Sequence, residues 1–269
     1  MFRSIFFPVR RRIRRSILFG FACVAVSSCA SPPAPATSEV SSPPLPVADL
    51  LRKADEHYAR RENLDEVRDG IQVLRRVRAL EPSNYDAAWR MARLTYRLGN
   101  NSTDRSEREA IFRDGIAAGE AAVRVQPNKP EGHFWLGANK GGNAQLQGPL
   151  SGLAAVKELR REMETVIRID EGFQGGSAYM VLGRLDLEVP EMMGGDRQRA
   201  VEILEKGLRF GAENSLLRLR LAEAYLAVKR PTDARKQIDY ILNMTPHPDF
   251  LVEYEESVTK ARRLLSTKF

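Results

Sequence analysis

The sequence predicts an all-α fold, a series of helical hairpins stacked into a solenoid or superhelix with long loops between some of its helices. Three observations carry that prediction. Apolar residues recur at helical spacing through residues 49–269, as in Val67, Ile71, Leu74 and Val77. No run of alternating β-branched residues calls for a strand, which sets aside the sheet-based folds that usually host small-molecule enzymes. Helix-closing motifs also repeat: Leu80-Glu81-Pro82, Val125-Gln126-Pro127 and Ile169-Asp170 lie 45 and 44 residues apart, and each is soon followed by an aromatic-bearing helix.

Along the chain, Leu50 to Arg61 forms a short amphipathic run, and Leu64 to Leu80 a longer one that stops at Glu81-Pro82. Tyr85 to Leu98 carries Ala88, Trp89, Ala92 and Tyr96 before Gly99-Asn100-Asn101. Phe134 and Trp135 mark the next aromatic helix, and Tyr179 the one after it. A last pair, Leu216 to Val228 and Ala234 to Met244, precedes a terminal helix from Leu251 to Leu265. This is the logic of a tetratricopeptide-like solenoid, with a period longer than that motif's roughly 34 residues. The Gly-, Asn- and Pro-rich stretches Asn100–Glu107, Gly141–Gly152 and Glu188–Asp196 account for the excess as expected loops. Small residues mark where backbones meet: Ala117, Ala118, Ala121 and Ala122 in one helix, Gly137, Ala138 and Gly141 in another, and Gly183 in a third. Asp196 stands where it caps a helix beginning near Arg197.

The first 28 residues read as an export signal outside the fold. Arg3, Arg10, Arg11, Arg12, Arg14 and Arg15 form a basic opening without acids, and an apolar to small run follows up to Cys29. Val26-Ser27-Ser28-Cys29 resembles a bacterial lipobox, which makes Cys29 the expected lipidation site, and Ala30 after it favours the outer membrane. Residues 29–48, rich in Ser and Pro, are the expected tether, and 49–269 the helical domain. Processing changes the charge reading. Of 42 Lys plus Arg, six leave with the signal, so 36 face 35 acids and the general basic field wanted by a nucleic-acid binder is absent. Cys23 leaves as well and Cys29 is the anchor, so no thiol remains for a disulfide, a metal or a nucleophile.

Chemistry finds little footing. His57, His133 and His247 share no metal-ligand spacing. Glu162 and Glu164 do not face each other on a helix. Gly115–Gly119 and Gly172–Gly176 lack the preceding strand and the lysine of a phosphate cradle. No catalytic residue, metal site or cofactor is expected. The mixed helix Glu131 to Gly142 is the better candidate for binding. Trp135 and Asn139 are four apart and share a direction, with His133 and Lys140 on the neighbouring line, while Phe134, Ala138 and Gly141 serve close packing. Trp135, Asn139 and His133 are therefore expected to look onto the concave surface, as apolar walls with polar anchors for a small ligand. Trp89 and Tyr179, at similar places in their units, and Arg184 are secondary candidates. A core role for Trp135 and a local ion pair for Arg184 stay open beside these readings.

The lipobox at Cys29, Gly132–Asn139, Leu182-Gly183-Arg184, Gly194-Gly195-Asp196 and Leu219–Tyr225, in that order, resemble the TRAP transporter T-component, or TatT-like, lipoproteins built from variant tetratricopeptide hairpins. The resemblance implies a periplasm-facing, outer-membrane lipoprotein that holds a small apolar or amphipathic ligand and works beside a periplasmic substrate-binding protein. It also implies self-association as a trimer. The competing class is a cell-envelope assembly scaffold that holds a peptide or protein segment in an open groove.

Overall fold

The computed structural model describes residues 45–246 and 250–269, apart from the side chains of residues 149 and 150. The expected signal 1–28, Cys29, most of the tether 29–48, and His247 lie outside the described residues. The helices run in order α1 (Val47–Ala59), α2 (Leu64–Leu80), α3 (Tyr85–Asn101), α4 (Arg105–Val125), α5 (Pro130–Gln147), α6 (Pro149–Ile169), α7 (Ser177–Glu188), α8 (Arg197–Leu208), α9 (Ser215–Ala227), α10 (Pro231–Asn243) and α11 (Leu251–Lys268), with a 3-10 turn at Glu191–Met193.

Local chemistry sets most of these boundaries. The side chains of Asn63, Asn84, Asp104, Asp196 and Asn214 each accept a hydrogen bond from a backbone N–H in the first turn they precede, an arrangement worth about 1 kcal/mol per cap. Pro130, Pro149 and Pro231 stand in the first turn of α5, α6 and α10, where a missing N–H costs nothing.

Two of the three expected loops are mostly helix. Residues 141–147 continue α5 and α6 opens at Pro149, so the chain reverses at Gly148 alone, whose φ of +112° suits glycine. Gly142 is there for contact: a Cβ on it would stand 2.5 Å from the Phe112 ring of α4. Between α3 and α4 only residues 102–104 leave the helices. The third stretch is a true loop and is clamped. Asp186, whose side chain is fully buried, takes Arg160 Nη2 at 2.5 Å and Arg199 Nε at 2.8 Å, while its backbone carbonyl accepts from Asp196 N at 3.0 Å.

Sequence neighbours pack as antiparallel hairpins, α1/α2, α3/α4, α5/α6, α7/α8 and α9/α10, and α11 packs on the last of them. Between hairpins the odd-numbered helices meet each other, α1 with α3, α3 with α5, α7 with α9 and α9 with α11. Helices that converge from one repeat to the next occupy the short-radius side of a superhelix, so the odd helices form its inner face. One apolar cluster runs from Leu50 in α1 to Leu182 in α7, and a second from Ala200 in α8 to Ala261 in α11. The fold is thus the expected all-α, tetratricopeptide-like helical-repeat solenoid, with shorter connections than the glycines suggest.

Gly183 is one of the seams that permits this packing, because a Cβ there would lie 2.4 Å from Leu204 Cγ across the α7/α8 hairpin. Gly183→Leu is expected to lower stability by about 1–3 kcal/mol through overpacking, read as a lower urea midpoint. Combining it with Leu204→Ala should recover part of that loss; an unchanged midpoint in the single variant would contradict the seam.

Candidate functional site

The inner face is built chiefly on α3. Trp89, Arg93, Tyr96 and Arg97 are spaced by four, seven and eight residues from the first, which aligns them along one side of a helix. Arg93 lies 3.6 Å from the Tyr58 ring centroid of α1 and 4.9 Å from that of Trp89, and Arg90 lies 4.4 Å from Trp89. Asp55 of α1 accepts from both arginines, Arg90 Nε at 3.0 Å and Arg93 Nη2 at 2.8 Å. Burial pushes the Tyr58 phenol above its ordinary value and pulls the Arg93 guanidinium below its own. Tyr96 meets the Trp135 ring of α5 at 5.7 Å. Arg184 of α7, another odd helix, lies within electrostatic reach of Tyr96 and of Glu223 of α9. The result is a band of half-buried arginines and aromatic rings rather than an apolar cavity. Open clefts of about 510 Å³ lie elsewhere, one between Asp196 to Gln198 and Ala227-Val228, another between Asn101 and α11.

The residues nominated from sequence divide among several places. Trp135 is buried, with Phe134 edge-on at 4.9 Å and Tyr96 on its other side, and its Nε1 has no hydrogen-bond partner among the described residues. Asn139, expected on the concave surface, is instead fully buried where α3, α4 and α5 meet. Its Nδ2 donates to the carbonyls of Ala92 and Trp135, both at 2.8 Å, and its Oδ1 stands 3.3 Å from Thr95 Oγ1. His133, also expected to look inward, joins the α5/α6 hairpin through Glu162. Lys140 pairs with Glu158 of α6 at 3.1 Å. Trp89 lies on the inner band and donates through Nε1 to Asp86 Oδ1 at 3.1 Å. Tyr179 is buried in the α7/α8 joint, stacked on Phe210 with its hydroxyl on Glu171. Arg184 pairs with Glu188 of its own helix at 2.7 Å, the local ion pair left open for it, and lies within electrostatic reach of Tyr96.

Sequence reasoning passed over Tyr58, Arg93, Tyr96 and Arg97 as a set. The signal was present in the spacing along α3, but an arginine stripe on a helix reads first as a solvated face. The partner of His133 was legible in principle: 133 and 162 are nearly equidistant from the reversal at Gly148, which an antiparallel hairpin brings side by side. Among the described residues no cluster of His, Cys, Asp and Glu is arranged to hold a metal.

His133 shows how such a group is spent on structure. Nε2 faces the Pro127 carbonyl at 2.9 Å, an acceptor only, so that nitrogen carries a proton. Nδ1 faces Glu162 Oε2 at 2.7 Å. The Glu162 hydrogen bond raises the His133 pKa above its ordinary 6.5 against the effect of burial. Burial opposes ionisation of Glu162, yet the hydrogen bond from His133 and its charge hold that carboxyl below its ordinary 4.5. Both ring nitrogens thus face acceptors, the Glu162 carboxylate and the Pro127 carbonyl, an arrangement that favours the charged ring and ties it into the α5/α6 hairpin.

The raised histidine stabilises below its unfolded pKa and loses that contribution as pH rises through the folded value. The lowered carboxyl stabilises above its unfolded pKa and loses it as pH falls through the folded value. The pair is thus fully effective between roughly pH 4.5 and 6.5. Glu162→Gln is expected to cost about 1–3 kcal/mol in that window, with the difference in Tm from the parent shrinking toward pH 9. A difference independent of pH would contradict the ionised pair.

Residues 192–251 match a tetratricopeptide-repeat family. None of the curated proteins matches the chain. Among solved structures, the tetratricopeptide-repeat protein TTC0263 of Thermus thermophilus is 18% identical, covers 80% of this chain and 100% of its own, and superposes with a TM-score of 0.60, which shows the fold. A MamA RS-1 ArsTM double mutant is 14% identical over 82% of this chain and 97% of its own, with a TM-score of 0.46. The expected kinship with TRAP transporter T-component lipoproteins is corrected by a further match, over residues 50–216, to another family. Several of the fragments that suggested that kinship are packing devices of repeat hairpins: Gly137 against Met163, Asn139 in its three-helix junction, Gly183 against Leu204, and the clamped Gly194-Gly195-Asp196 turn; the lipobox at Cys29 lies outside the described residues. With more than half of its length inside the match, the chain belongs to the family described as regulator of microtubule dynamics protein 1-3, and it is built on tetratricopeptide repeats.

Proposed function

We propose that the chain is a cell-envelope assembly scaffold that holds a peptide or protein segment against its inner face. The observation that carries this reading is the band of Tyr58, Arg93, Tyr96, Arg97 and Arg184 contributed by the odd helices α1, α3 and α7. Guanidinium groups and aromatic rings offer a polypeptide both carboxylate partners and stacking surface, spread over several repeats. The description of the family names regulators of a protein polymer, which supports a polypeptide partner over a metabolite. A small apolar or amphipathic ligand is the second reading, favoured by the buried, unpartnered Trp135 Nε1, which a hydrogen-bond acceptor on such a ligand would satisfy. The location belongs to the same proposal: the basic and apolar residues before Cys29 support outer-membrane attachment facing the periplasm.

A photo-crosslinking amino acid at position 96, compared with one at the exposed Arg76 of α2, tests the binding reading in cells of the native host. Discrete polypeptide adducts from position 96 and not from 76 are expected. Equal labelling at both positions, or native mass spectra showing only a bound small molecule, would contradict the scaffold. Cys29→Ser is expected to move the protein from membrane to soluble fractions, and continued membrane attachment would contradict the anchor.

A further inference from the structure

The last helix folds back onto the first repeats. Arg61, at the end of the first hairpin turn, grips Glu253 of α11 in a two-pronged contact, Nε to Oε1 at 3.0 Å and Nη2 to Oε2 at 2.5 Å. Arg97 of α3 donates through Nη1 to Glu256 Oε1 at 3.1 Å and through Nε to the Arg61 carbonyl at 3.2 Å. These contacts join residues 192 and 159 positions apart. Glu253 and Glu256 are three apart, so they point from one side of their helix toward two arginines that Arg97 itself ties together.

The two halves of α11 are held differently. Ala261 is fully buried, and Val258, Leu264 and Leu265 pack on the apolar cluster of α8 to α10, which anchors the C-terminal half. In the N-terminal half, Phe250 and Leu251 are about half exposed, and the buried group is Ser257, bonded to Ser215 at 3.1 Å and to the Glu253 carbonyl at 2.7 Å. Detaching that half breaks, among other contacts, the two ion pairs, the Ser215–Ser257 contact and the bond from the Tyr254 hydroxyl to the Met244 carbonyl, and leaves the apolar anchor in place, a local opening of the kind a repeat fold permits at its ends. An open cleft lined by Asn101, Val252, Glu255, Glu256, Thr259 and Lys260 already runs beside the clasp.

We infer that Arg61 and Arg97 form a carboxylate-reading site whose partner is an acidic helical segment with two carboxylates three residues apart, and that the N-terminal half of α11 occupies it as an internal stand-in. The inference rests on the scaffold reading and specifies its partner. Charge complementarity and spacing argue for this occupant: Arg forks select carboxylates, the linked pair selects two of them at one helical turn, and the chain's own helix is seated there with that pattern. A partner with the same pattern competes with α11, so occupancy of the inner face is coupled to release of the clasp.

A fluorescein-labelled synthetic peptide of residues 250–262 is the probe, titrated by anisotropy into three full-length chains: the parent, Glu253→Gln/Glu256→Gln, and that variant carrying Arg61→Gln/Arg97→Gln as well. The clasp-released variant is expected to bind the peptide at least about tenfold more tightly than the parent, and the arginine-substituted chain to lose binding. Hydrogen exchange on the parent gives a readout independent of whether the variants fold: saturating peptide should speed exchange of amides 252–257 without changing those of 261–265. Equal affinity for parent and clasp-released chains, binding that survives loss of both arginines, or unchanged exchange in α11 would overturn the inference. Polypeptide adducts at position 96 alongside any of those outcomes would leave the scaffold standing and remove only the acidic-helix partner.

Discussion

A single buried amide holds together the junction from which the inner face is built. Asn139 has no exposure to solvent, and its side chain is engaged on three sides by the carbonyls of Ala92 and Trp135 and the hydroxyl of Thr95. Ala92 and Thr95 belong to α3, so the amide bonds α5 to a helix in the preceding repeat, and leaving its donors unmet would cost about 1–3 kcal/mol. The fit requires α4 to contribute no side chain at that point. A Cβ on Gly115 would lie 2.1 Å from Asn139 Oδ1 and 2.4 Å from Thr95 Oγ1. Directional hydrogen bonds fix rotation about a helix axis in a way that apolar contact does not, and rotation of α3 decides which of its residues face inward.

The inner band follows from that rotation. With Ala92 and Thr95 turned toward α5, Trp89, Arg93, Tyr96 and Arg97 lie on the remaining concave side, where α1 supplies Tyr58 and Asp55 and α7 supplies Arg184. The arginines in this band each have an acid or a ring beside them, so the face is a set of occupied contacts that a partner exchanges rather than an empty charged surface. Glu253 and Glu256 take part in the same set from the far end of the chain, which ties the last helix back to the first repeats.

Much of the fold was legible in the residues, for reasons that are local. Leu64–Leu80 has its stripe, its Asn63 cap and its closing proline in one stretch, and the helix found there has the same bounds. Gly142 misled because glycine serves equally to reverse a chain and to admit a neighbour; the Phe112 ring that decides between these uses lies on another helix. Asn139 misled similarly. Its spacing from Trp135 says that both point the same way, but not whether that way is toward solvent or toward Ala92, a residue 47 positions earlier. The site was less legible than the fold because its members lie one repeat apart and become a group only when the odd helices converge. The family was misread because hairpin seams and capped glycine turns are requirements of the architecture and distinguish poorly between families that share it.

Native-state hydrogen exchange of the Asn139→Leu variant tests the role of this junction most directly. If the amide sets the register of three helices, protection should fall together in α3, α4 and α5 while the amides of α9 and α10, in the separate second cluster, keep theirs. Protection lost only around residue 139, or lost evenly along the whole solenoid, would contradict a junction that organises the inner face.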